Sequence, residues 1–193
     1  LGLALALRDK LLEQGGVRVA LTRDDDTFVV LGERAVIARR LGADLFISIH
    51  ADSAANEGAG GATIYTLDEE ASDAIAARFA ARENAAARVN GVALEDTDPD
   101  VSAILVDLSQ RRVEGESREF ADLIIREGEG RIAFTPAPYR RADLAVLKNV
   151  DIPAVLFEAG FITNAEDARR LTSPEARLAF AEALGRAIRI YFA

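Results

Sequence analysis

Apolar residues at positions 3, 4, 7 and 11, with polar ones opposite and a Gly15-Gly16 pair to close, predict a helix over the first sixteen residues. The stretch VRVALT (17–22) predicts a strand. Leu31, Ala35, Ala38 and Leu41 recur on one helical face that stops at Gly42, which predicts a second helix. LFISIHA (45–51) is a short, nearly continuous apolar run, the pattern of a strand buried on both faces of a parallel sheet. GGATIYTL (60–67) predicts a further strand near a sheet edge, and residues 69–89 read as a helix. Residues 90–100 read as an acidic loop. Residues 101–127 read as a second helical stretch carrying Ile104, Leu105, Leu108, Phe120, Leu123 and Ile124, broken at Gly115. RIAFTPAPYRRAD (131–143) reads as loop and LAVLK (144–148) as a short strand. PAVLFEAG (153–160) is the last buried strand, with Pro153 at its tolerated first position. Asn164 caps a short helix, and Ser173-Pro174-Glu175 opens a final one whose Leu178, Ala181, Leu184 and Ile188 face inward.

Strands that alternate with helices make this an α/β chain with a mostly parallel sheet. Residues 69–130 read as a helical insertion between two strands of it. A length of 193 residues fits one domain with a sizeable core. The net charge of −9 argues against nucleic acid and anionic membranes as partners. With no cysteine there are no disulfides and no thiolate metal sites. No apolar run reaches the length of a membrane span, and the basic n-region of a signal peptide is not found in these residues. The chain opens inside a helical pattern and contains no methionine, so the expectation is a fragment that lacks its N-terminal part.

Two strand ends carry titratable groups, and in parallel sheets the loops beyond the strands' carboxyl ends converge on the site. His50, the sole histidine, follows LFISI, and Glu158 follows PAVLF just before Ala159-Gly160. An imidazole there suits zinc, and a carboxylate beside it suits the base that deprotonates water. On position alone a hydrogen-bonded core histidine and an arginine-paired glutamate explain the same residues. Arg23 and Arg34 read as ion-pairing residues, and Asp24, Asp25 and Asp26 as a solvated turn rather than a hard-cation site. Asp52 either orients a ligand or caps the following turn.

LTRDDDTFVVLGERAVIARRLGADLFISIHADS, followed downstream by AVLKNVDIPAVLFEAGFITNAEDARRL, closely resembles the zinc-dependent N-acetylmuramoyl-L-alanine amidases of the amidase-3 family. ARENAAA (81–87) and the closing Tyr191-Phe192 extend the likeness along the chain, which looks most like the cell-division branch. The resemblance implies a single α/β/α sandwich domain over residues 1–193, with a helical regulatory insertion at 69–130. It implies peptidoglycan hydrolysis between N-acetylmuramic acid and L-alanine, zinc as cofactor, a periplasmic location and a role in daughter-cell separation. His50 matches a zinc ligand and Glu158 the catalytic glutamate. Glu83 matches an autoinhibitory zinc ligand, displaced when a LytM-domain activator docks on residues 101–127. By the same resemblance the first strand, a second histidine and a glutamate ligand lie upstream of Leu1, so this chain by itself is expected to be inactive. The alternative is a non-catalytic, degenerate amidase domain that binds peptidoglycan or a division partner.

Overall fold

The computed structural model describes the backbone of residues 1–56, 58–89, 103–148 and 151–193. Helix α1 (Gly2–Gln14) buries Leu3, Leu7 and Leu11, and α2 (Leu31–Arg40) buries Ala35 and Ala38. Leu41 caps α2 and stays 53% exposed, so the expected inward stripe ends one turn early. Strand β1 (Phe46–Asp52) is followed by β2 (Ala62–Leu67), α3 (Ala74–Val89), α4 (Ala103–Gly128) and β3 (Phe134–Ala142). Strand β4 (Ala154–Phe161) leads to α5 (Ala165–Thr172) and α6 (Pro174–Tyr191).

The four strands form one sheet in the order β1-β4-β2-β3, with β1–β4 and β2–β3 parallel and β2–β4 antiparallel. Several sequence-based expectations change here. Residues 17–22 have no regular structure and pair with none of the four strands among the described residues. Strand β2 is interior rather than near an edge, since β3 pairs with it along residues expected to be loop. Pro136 and Pro138 are compatible with β3 because it is the edge strand. The pairing jumps from Ala62–Phe134 to Ile64–Tyr139, so the proline stretch bulges out of the ladder. Ala145–Leu147 is a 3-10 turn, not a strand, and buries all three side chains between the sheet and its helices. Helix α4 runs unbroken through Gly115. The acidic loop at 90–100 and the side chains of Ile104, Leu105 and Leu108 lie outside the described residues.

One face of the sheet packs Ile64, Val155 and Phe157 against α1, α4 and α6 through Leu7, Phe120, Ile124, Phe180 and Leu184. The expected Leu178 does not join them; it is 52% exposed, while Ala181, Leu184 and Ile188 are buried. The other face packs Phe46, Tyr65 and Leu156 against Ala35, Ala38, Phe79 and Val146. The Tyr65 and Phe79 rings stack at 4.4 Å, which seats α3 on this second face. Asn164 accepts from the Glu166 and Asp167 amides at the start of α5, and Ser173 from Ala176 at the start of α6.

Candidate active site

His50 and Glu158 occupy paired positions on β1 and β4, and Thr63 of β2 pairs with Glu158 from the other side. Paired residues on neighbouring strands share a face, so the three side chains form a row across the sheet on the α3 side. Just beyond the row the β1–β4 register shifts between His50 and Asp52. That irregularity frees the Asp52 backbone N–H, which donates to Glu158 Oε1 at 3.0 Å.

Glu158 is wholly buried, and its Oε2 has no hydrogen-bond partner among the described residues. Burial first, then the carboxyls of Asp52 and Glu83, push its pKa up to about 8, against the opposing pull of the Asp52 and Gly160 backbone bonds. A lone buried carboxyl oxygen is costly where it serves only the fold. Placed at a strand end with its pKa raised toward neutrality, it is a group able to hold or give up a proton.

The imidazole of His50 is satisfied on both nitrogens. Ser48 Oγ lies 2.9 Å from Nε2, and Glu83 Oε2 lies 3.0 Å from Nδ1. Nδ1–H faces the Glu83 carboxyl and Nε2 faces the Ser48 hydroxyl. Burial works to raise the Glu83 carboxyl, but its bond to His50 and the neighbouring charge hold it below the ordinary range. Asp52 moves the other way: burial and the nearby Glu83 raise it despite its ion pair with Arg82. Of these two adjacent carboxyls, Asp52 keeps its proton to higher pH.

Three consecutive residues of α3 reach β1 and the turn after β3. Arg82 pairs with Asp52 and donates to the Ser53 carbonyl at 2.7 Å. Glu83 meets His50 on β1. Asn84 donates to the Asp143 carbonyl at 2.7 Å and accepts from the Ala145 N–H at 2.9 Å. By helical spacing Glu83 falls within a stripe of Ile75, Phe79, Ala86 and Val89. Phe79 is buried, Ile75 is 55% exposed, and the Ala86 and Val89 side chains lie outside the described residues.

Of the other residues considered, Arg34 donates to the Val29 carbonyl, near enough to Glu83 for that charge to oppose the downward pull of burial and Arg23. Arg23 binds the Asp25 and Thr27 carbonyls and Asp26, closing the acidic turn on itself. Ser48 and Thr63 were not singled out from sequence. Ser48 was readable as the residue two before His50 on the same strand face, whereas Thr63 reaches the row only through the β2–β4 pairing.

One imidazole and one carboxylate suit zinc in kind. They are too few in number, since catalytic zinc takes three protein ligands. Among the described residues no three histidine or acidic side chains converge into a group able to hold a metal.

Residues 1–189 match the family described as N-acetylmuramoyl-L-alanine amidase. The chain is 37% identical to the N-acetylmuramoyl-L-alanine amidase AmiA of Salmonella typhimurium over 94% of its own length and 63% of that protein's. It is 30% identical to AmiC of Escherichia coli over its full length and 46% of that protein's. The chain therefore spans less than two thirds of these relatives. Among solved structures, the amidase AmiC2 of Nostoc punctiforme superposes with a TM-score of 0.64 at 26% identity, covering 99% of this chain and 81% of that one.

Proposed function

Since the chain belongs to the N-acetylmuramoyl-L-alanine amidase family, we propose that it forms part of a peptidoglycan hydrolase that cleaves the amide between N-acetylmuramic acid and the L-alanine of the stem peptide. The observation that carries this reading is Glu158: wholly buried, unpaired at Oε2 and level with His50 at the lip of the sheet.

In this reaction the oxygen of water bonds to the lactyl carbonyl carbon, the C–N bond breaks, and the L-alanyl amine leaves. Glu158 Oε2 takes the proton from the attacking water and delivers it to the departing nitrogen. A pKa pushed up to about 8 suits both halves of that transfer, because the carboxylate is basic enough to accept and acidic enough to return the proton near neutral pH. The Asp52 N–H fixes Oε1 and so aims Oε2. His50, and Glu83 while α3 lies over the site, are the residues of this chain that would hold zinc. The remaining donors must come from beyond the described residues. Zinc supplies a Lewis acid that polarises the scissile carbonyl and acidifies water.

Glu83 on His50 Nδ1 is read as autoinhibition: the helix blocks the position the substrate needs. A LytM-domain activator acting on residues 101–127, a periplasmic location and a part in daughter-cell separation complete the proposal. No helix among the described residues is long and apolar enough to cross a membrane. The converging donors number two, and that favours one second reading, a degenerate domain that binds peptidoglycan without cutting it.

Glu158→Gln decides between them. In the full natural protein loaded with zinc, this variant is expected to release no L-alanyl peptide while keeping its metal. Loss of the metal would make Glu158 a ligand instead of the base. A zinc-loaded parent that co-sediments with peptidoglycan yet frees no peptide would establish the binding module.

A further inference from the structure

Asp167 lies in the first turn of α5 and is 2% exposed, yet the proton transfer makes no use of it. Acidic residues in a first turn ordinarily stay in water, where they meet the helix N-terminus. This one turns inward. Its Oδ2 accepts from the Gly61 N–H at 2.9 Å and the Phe161 N–H at 3.0 Å, while Oδ1 is ion-paired with Arg170. Against burial, the Phe161 bond, Arg170 and the Gly61 bond hold the carboxyl below the ordinary range, so it is ionised at neutral pH.

The backbone is shaped to this oxygen. Gly61 and Gly160 both adopt positive φ, +93° and +140°. A Cβ on Gly160 would come within 2.8 Å of Oδ2, and one on Gly60 within 3.3 Å. Because β2 and β4 are antiparallel, both amides lie just beyond the Thr63–Glu158 pair, one on each strand. Phe161 in turn pairs with Asp52 of β1, and the Ile162 N–H donates to the Asp52 carbonyl at 2.7 Å. Asp52 and Gly160 supply the backbone N–H groups that bond Glu158. Each is therefore one step from the amide that Asp167 holds: Gly160 precedes Phe161 along the chain, and Asp52 faces it across the ladder.

We propose that Asp167 is a positioning residue: by holding the Phe161 amide it sets the Gly160 and Asp52 N–H groups that aim Glu158, and through them the proton transfer. This role presupposes Glu158 as the base of the amidase reaction. A tie between strand ends needs no charge, since ladder bonds or apolar packing serve it. Burying an ionised carboxylate costs free energy that close partners must offset. Here those partners include two amides beside the site. Misplacing a reacting group by about 1 Å costs on the order of 100-fold in rate, so a small shift of the Phe161 backbone is enough to matter at Oε2.

Three variants of the full natural protein, loaded with zinc, test this. Asp167→Asn keeps the shape but loses the charge, and its NH2 must face either Arg170 or the two amides, donor against donor. Its kcat for release of L-alanyl peptide is expected to fall about tenfold with KM unchanged, and that of Asp167→Ala roughly 100-fold. Arg170→Ala removes the ion pair but leaves Oδ2 on both amides; it is expected to lower Tm and leave kcat as it is. If Asp167→Ala does not fold, Asp167→Asn against Arg170→Ala decides. Equal kcat in those two variants makes Asp167 a structural tie and overturns the proposal. A zinc-loaded parent that cleaves nothing defeats the amidase reading instead, and amide NMR shifts then decide: those of Asp52 and Gly160 should move in Asp167→Asn and stay in Arg170→Ala. Shifts left in place by Asp167→Asn overturn the proposal too.

Discussion

Burial, with Asp52 and Glu83 close by, keeps a proton on Glu158 to a pH of about 8 in the folded protein. In the unfolded chain the same carboxyl ionises near 4.3. The native state therefore holds a proton that the unfolded state has lost throughout that interval, so stability is highest below it and falls as pH rises from about 4.3 to about 8. Thermal melts of chelator-treated protein should show Tm falling across this range. Glu158→Gln, neutral at every pH, should flatten the fall and melt higher than the parent at pH 8. Parallel curves for the two proteins would mean that Glu158 is already ionised and solvated. Glu83 makes the opposite kind of contribution, because its contact with His50 Nδ1 holds α3 down. A hydrogen bond involving a charged group is worth about 1.5–3 kcal/mol, so its removal shifts an opening equilibrium roughly tenfold or more. Glu83→Ala in the full natural protein should raise basal peptidoglycan amidase activity by that order in a dye-release assay. Unchanged basal rates would end the autoinhibitory role.

Among the described residues, helix α3 is held by buried Ala76, Phe79 and Ala80 and by a few specific polar contacts. Phe79 stacks on Tyr65, Arg82 reaches the end of β1, and Asn84 spans Asp143 and Ala145 just after β3. Asn84→Ala leaves the Ala145 N–H and the Asp143 carbonyl without their partner, a loss of about 2 kcal/mol. In a domain of this size that lowers Tm by roughly 4–8 °C. Circular dichroism melts check it, and a change under 1 °C would show that water replaces both bonds. Two residues after Glu158, Gly160 adopts φ +140°, and a Cβ there would sit 2.8 Å from Asp167 Oδ2, so no side chain fits. That carboxylate accepts from the Gly61 and Phe161 amides and ties the β2 and β4 ends together. The backbone after Glu158 is thus held by α5, while the backbone over it is held by α3.

At the scale of the molecule, the converging donors among the described residues set what they can do with metal. His50 and Glu83 are two where three are needed. After dialysis against zinc, metal analysis of the 193-residue chain should find well below one equivalent, and His50→Ala should remove the remainder. One tight equivalent would show that residues outside the described set complete the site. The sequence by itself determined the elements whose stability is local. Helices α1, α2 and α6 follow from apolar spacing, and the caps at Asn164 and Ser173 follow from residue type, because helical hydrogen bonds and caps close within four residues. It also marked β1 and β4 by their apolar runs, and so placed His50 and Glu158 at strand ends. Only the tertiary structure decided which extended segments are strands. VRVALT alternates well but has no partner strand among the described residues, while the proline-bearing 134–142 has one in β2. A strand exists by pairing with residues far along the chain, and no local pattern encodes the neighbour. The same reason separates the site's parts from its geometry. That Glu158 stands level with His50, that Asp52 N–H meets its Oε1, and that Glu83 of α3 reaches the imidazole are contacts across 33 to 108 residues, set by sheet register and by where Phe79 seats the helix.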